Sequence, residues 1–199
     1  MRTIVAVSAV ALTLLGSIAV LAQGQQAPQH PMTFFIASTV PGTGNLGGID
    51  GADRICQNLA AAAGAGNHIW HAYLSTQTTP QAAGVNARGR IGPGPWYNAK
   101  GVMIAANVAD LHGDVQRDRN NIQKANALTE KGEMVDGVGD TANEHDMLTG
   151  SDPDGRAWPA GLDTTCNNWT SDGIEHKAML GHSDRSVRFH NPDLRSTVR

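Results

Sequence analysis

The segment Thr149–Arg156, TGSDPDGR, concentrates the side chains best suited to chemistry. Asp152 and Asp154 flank Pro153, and Gly155 follows where a tight turn needs an adaptable backbone. Hard carboxylate oxygens two residues apart suit calcium, which takes roughly six to eight oxygen ligands. Glu144 and Asp146, just upstream, supply further oxygens for such a site. The same letters are those of a plain Asp-Pro-Asp-Gly turn, and both readings stand here. Trp158, between Ala157 and Pro159, is either a platform for a sugar ring or part of a small loop core.

Other reactive residues carry less. His68 and His71 fall in an extended stretch, where their rings point to opposite faces, which does not suit zinc. His112, His145, His176, His182 and His190 show no ligand spacing. The chain has no HExxH motif, no glycine-flanked nucleophilic serine and no phosphate-binding loop. Cys56 faces inward from an apolar helix, which does not suit a nucleophile. Arg88 and Arg90, beside Gly89, are placed to hold loop carbonyls or to pair with acids of the loop region.

These residues need positioning elements. Phe34–Ser38 reads as a first strand and Pro41–Gly48 as a Gly-rich loop. Asp50 reads as a helix N-cap, with Asp53 near the positive end of the dipole. Ala52, Ile55, Cys56, Leu59 and Ala63 then recur at helical spacing until Gly64 and Gly66. Trp70, Ala72 and Leu74 alternate with His71 and Tyr73, as in a half-buried strand. Trp96-Tyr97 and Val102–Ala105 are further strand candidates, and Asn120–Lys131 reads as a second, more polar helix. Gly132–Thr165 is an aperiodic Gly/Asp/Asn/Thr region, followed by strand candidates at Asn167–Ser171 and Ala178–Leu180. Trp169 belongs to core or sheet packing more than to sugar stacking.

Arg2, the apolar run Ile4–Val20 and the small residues Val20 and Ala22 predict a signal peptide over 1–22, cut before Gln23. A polar linker follows over 23–33, then one domain over 34–185 and a divergent tail over 186–199. Export predicts a secreted or periplasmic chain with no membrane insertion after cleavage. With 40% apolar and 17% charged residues the chain can bury a core. The net charge of −3 gives no pull toward nucleic acid. Charge is uneven, however: Glu130–Glu175 holds eleven acids against Lys131 and Arg156. Such a region coordinates cations or is simply solvated.

The strings GIDGADRICQNLAAAAG, WHAYLST, VNARGRIGPGPWYNAKG, CNNWTS and GHSDR occur in that order. Together they resemble a group of secreted bacterial lectin-like proteins with a C-type-lectin or endostatin-type fold, over about Phe34 to Arg185. The resemblance implies an α+β domain: a mixed antiparallel sheet, two flanking helices and a long irregular loop region. In sugar-binding C-type lectins a carboxylate or amide pair flanking a proline binds calcium and sugar hydroxyls together. Asp152-Pro153-Asp154 lies close to that place, with Asp where the pattern has Glu or Gln.

Related chains continue past the GHSDR-like segment with a WNS-type motif, a GC pair and a final strand. Ser186–Arg199 has no Trp and no Cys, and reads as a truncated end or a divergent one. The resemblance also pairs the helix cysteine and the cysteine before NNWTS with partners in that later portion, so Cys56 and Cys166 are expected not to bond to each other. The function implied is an exported, non-enzymatic domain that binds carbohydrate or an extracellular macromolecule, with calcium as a candidate cofactor. The alternatives are a metal-independent protein-binding adhesion or matrix module and, less favoured, a periplasmic hydrolase.

Overall fold

A computed structural model describes residues 30–115 and 121–184. The expected signal peptide and the tail at 186–199 lie outside the described residues. The architecture is mixed α+β. In chain order it runs α1 (Gly48–Ala62), α2 (Ala87–Arg90), β1 (Trp96–Tyr97), β2 (Met103–Ala105), α3 (Val108–Leu111), β3 (Asp146–Leu148), α4 (Cys166–Trp169) and β4 (Leu180–His182). The strands form two separate antiparallel ribbons, β1–β2 and β3–β4, in place of one expected mixed sheet. No helix among the described residues is long and apolar enough to cross a membrane.

Helix α1 forms where the apolar residues repeat at helical spacing. Its N-cap is Gly47, at φ 76°, and not Asp50, which sits inside the first turn. A close approach explains the early start, because a Cβ at Gly51 would lie 2.0 Å from the Leu46 carbonyl oxygen. The C-terminus closes as a Schellman motif on Gly64 at φ 82°. There the Gly64 amide donates to Ala61 O and the Ala65 amide to Ala60 O.

The stretch Trp70–Leu74 keeps the expected alternation: Trp70, Ala72 and Leu74 are buried. It does not pair in a ladder; α1 side chains take the partner strand's place. The Trp70 amide donates to Gln57 Oε1 at 3.1 Å and the Ala72 amide to Asp53 Oδ1 at 2.8 Å. Ala72 and Leu74 pack with Leu46, Ala52 and Trp169, joined by Ile55, Cys56, Leu148 and Ala178. A second core gathers Trp96, Ile104 and Ala105 against Phe34, Val108, Leu111 and Ile122.

Four further expected elements differ. Phe34–Ser38 is not a strand but makes one parallel bridge, Ile36 to Thr129. The expected helix at Asn120–Lys131 is absent over the described residues 121–131, which form turns and bridges. Asparagine side chains compete for its backbone: Asn126 Oδ1 accepts from the Gln123 amide, and Asn126 Nδ2 donates to Asn121 O. Asn167–Ser171 is not a strand either. Cys166, Asn167, Asn168 and Trp169 all have positive φ, from 46° to 67°, and make one left-handed turn. Asparagine tolerates that region, and Asp163 Oδ1 accepts the Thr165 and Asn167 amides to hold it. The last strand is displaced: Ala178 only bridges Thr165, and β4 begins at Leu180. The expected linker also reaches the folded part, since His30 stacks on Tyr97 with ring centroids 4.2 Å apart.

Candidate functional site

The loop carrying Asp152 and Asp154 is a closed turn. Asp152 Oδ1 accepts the amides of Asp154 and Arg156, each at 2.9 Å. The Gly155 amide donates to Asp152 O, and the Asp152 amide to Arg156 O. One carboxylate oxygen of Asp152 is thus already engaged by the backbone, as the plain-turn reading requires. Arg88 holds the turn from behind, as its sequence position suggests: its Nη1 donates to Asp154 O at 2.9 Å, and its amide to Gly155 O. Its guanidinium also pairs with Asp114, whose carboxyl it holds below the usual range. Arg90 instead binds an acid of α1, Asp53, and the Ala72 carbonyl.

Beneath Gly155 lies a Tyr73–His112 pair, with the phenol oxygen 2.8 Å from His112 Nε2. His112 Nδ1 donates to Val108 O, a pure acceptor, so Nε2 carries the lone pair that accepts the Tyr73 proton. Burial pushes the phenol well above its ordinary value and the imidazole below its own. Gly155 has φ 71°, and a Cβ there would meet His112 Nε2 at 2.3 Å, so only glycine lets the turn close onto this pair.

Asp146 belongs to a different group. It faces His182 directly across the β3–β4 ribbon. Its Oδ1 lies 2.9 Å from His182 Nδ1 and 3.5 Å from His145 Nε2. Ligand atoms of His145, Asp146 and His182 all lie within 4.8 Å of one another. The two rings are 4.9 Å apart between centroids. Behind them Asp184 Oδ2 accepts from His145 Nδ1 at 2.8 Å and from the Val138 amide at 2.8 Å. The Val138 amide and His145 together hold the Asp184 carboxyl below the usual range.

The four expected metal-binding acids therefore do not form one cluster. Among the described residues the metal-competent convergence is His145, Asp146 and His182, without Glu144, Asp152 or Asp154. His145 and His182 were passed over in the sequence because their spacing is set by strand register and not by a local motif. The local signal is an acid within two residues of each, in His145-Asp146 and His182-Ser183-Asp184.

A cleft of about 1200 Å³ runs between these parts, with Trp70, Leu74, Trp96 and Met147 among its lining residues. Glu144, Asp146, Asp152, Trp158 and His182 also line it. Trp158 is 37% exposed, whereas Trp169 is wholly buried as a core residue. Cys56 lines the cleft too, but burial, then the Asp53 charge, push its thiol up to about 11. It stays protonated and unreactive at neutral pH. Cys56 and Cys166 are both free, so they are not bonded to each other. No family model matches the sequence, and no curated protein matches it.

Proposed function

We propose that this chain is an exported, non-enzymatic binding domain of C-type-lectin-like fold that takes carbohydrate, or a carbohydrate-bearing macromolecule, into the cleft. The observation that carries the reading is the half-exposed Trp158 lining the same cleft as Asp152 and Glu144. An aromatic face in a cleft that also carries carboxylates matches the two faces of a sugar ring, one apolar and one rich in hydroxyls. The reading gives the sugar contact to the Trp158 face and not to a calcium ion at Asp152, whose Oδ1 already accepts two backbone amides. The motif order over Phe34–Arg185 supports the fold half of the proposal.

A glycan array probed with the purified chain tests it. A defined glycan should bind, equally with millimolar calcium or with a chelator. Trp158→Ala should weaken that binding at least about tenfold while leaving the melting temperature within a degree or so, because the ring is partly exposed. Binding to an extracellular protein but to no glycan, unchanged in Trp158→Ala, would replace this reading with the metal-independent adhesion module.

A further inference from the structure

We propose that His145, Asp146 and His182 form a binding site for a divalent transition metal of the zinc class. The site goes beyond the glycan reading and does not depend on it. Two imidazoles and one carboxylate are a borderline-soft donor set that suits zinc, not calcium, which prefers oxygen ligands throughout. The spacing fits as well. Tetrahedral zinc with bonds near 2.05 Å places its ligand atoms about 3.3 Å apart. The observed separations of 2.9 Å and 3.5 Å from Asp146 Oδ1 bracket that value, and all three ligand atoms lie within 4.8 Å of one another.

The surroundings favour a ligand role over a chance ion pair. Asp184 accepts the Nδ1 proton of His145, which fixes the tautomer and leaves the Nε2 lone pair unprotonated, 3.5 Å from Asp146 Oδ1. A carboxylate behind a ligating histidine is the usual outer partner of a metal-bound imidazole. Gly137 leaves room for it, since a Cβ there would lie 2.8 Å from Asp184 Oδ2. Backbone pairing sets the rest: Asp146 and His182 are register partners, and the Ser183 amide donates to His145 O at 3.0 Å. A two-stranded ribbon is marginal alone, and a metal across it would clamp one wall of the cleft. Three protein ligands leave a coordination position open.

The test is titration of zinc into the full chain, untagged and stripped with a chelator, followed by calorimetry and melting. One equivalent should bind, and about a hundredfold excess over Kd should raise the melting temperature by several degrees. Calcium should do neither. Cobalt(II) in place of zinc should give the visible absorption of a four-coordinate ion. His182→Ala and Asp146→Asn, both at exposed positions, should each abolish the cobalt spectrum and weaken zinc at least tenfold. Asp184→Asn should weaken it by about 10–100-fold. Glycan binding should survive Asp184→Asn, because Asp184 is not among the residues that line the cleft, so the two proposals fail separately. No zinc-dependent shift in the wild type, or equal zinc affinity in both ligand variants, would overturn the site.

Discussion

Trp169→Ala is expected to lower the unfolding free energy by about 3–5 kcal/mol, the range for deleting a large buried aromatic. Trp169 is wholly buried and is the largest of the fully buried side chains. Its Nε1 donates to Ser75 O at 2.8 Å, so truncation opens a cavity and also strips a buried carbonyl of its partner. The cavity cannot easily collapse. One wall is backbone: a Cβ at Gly150 would already lie 2.7 Å from the indole Cζ2. Total stability for a domain of this size is about 5–15 kcal/mol, so the loss removes a large share of the margin. Trp169→Phe separates the two effects, keeping most of the ring but not the donor, and should cost about 1–3 kcal/mol. Urea unfolding followed by circular dichroism reads both variants. A loss below about 1 kcal/mol for the alanine variant would mean that the indole does not close this core.

Asp53→Ala should cost nearly as much, about 3 kcal/mol, toward the lower end for a broken buried pair because its side chain remains 19% exposed. The carboxylate receives Arg90 through both oxygens, at 3.0 Å and 2.6 Å, together with His71 and the Ala72 amide. Removing it strands the Arg90 guanidinium, only 14% exposed, against Ala72 O. Asp53 also dictates a pH dependence. Burial pushes its pKa up, but Arg90, His71 and the Ala72 amide together outweigh burial and leave it below the ordinary carboxylate value. A lowered folded value means that the stabilisation is fully present above the unfolded-state value, near 4, and is lost as pH falls through the folded one. The difference in urea midpoint between wild type and Asp53→Asn should therefore hold steady from neutral pH to about 5 and shrink below about 4. A constant difference down to pH 3 would show that the carboxylate is not preferentially stabilised in the fold.

The elements legible in the sequence were those whose causes are local. Helix α1 was readable because its apolar repeat and the terminating Gly64 lie within one stretch. The ribbon β1–β2 was readable from its short apolar runs, and the alternation at Trp70–Leu74 from period two. What escaped depends on distant partners. Cys166–Trp169 has the letters of a strand, yet Asn168 exchanges bonds with Gln77, and the turn follows from that anchoring. Asn121–Lys131 has helical periodicity, but Asn126 diverts its donors and acceptors locally while Ile36 bridges Thr129 from elsewhere. The letters near Asp152 suit either a cation site or a plain turn. That Asp146 parts from the other acids and faces His182 depends on strand register, which no local motif encodes.

The anchoring of the left-handed turn also has a kinetic consequence. Its bonds to Ser75 and Gln77 span 94 and 91 residues of chain, so a very large loop must close before these contacts stabilise anything. Contacts this far apart in sequence place a chain among slow folders, with refolding in roughly milliseconds to seconds and not microseconds. A stopped-flow trace of tryptophan burial completed within microseconds would contradict this. During synthesis α1 and the Trp70–Leu74 segment emerge early, but the indole that covers their shared apolar face arrives about a hundred residues later, at roughly 5–20 residues per second. For several seconds that apolar face of the nascent chain therefore lacks the indole that covers it in the folded domain.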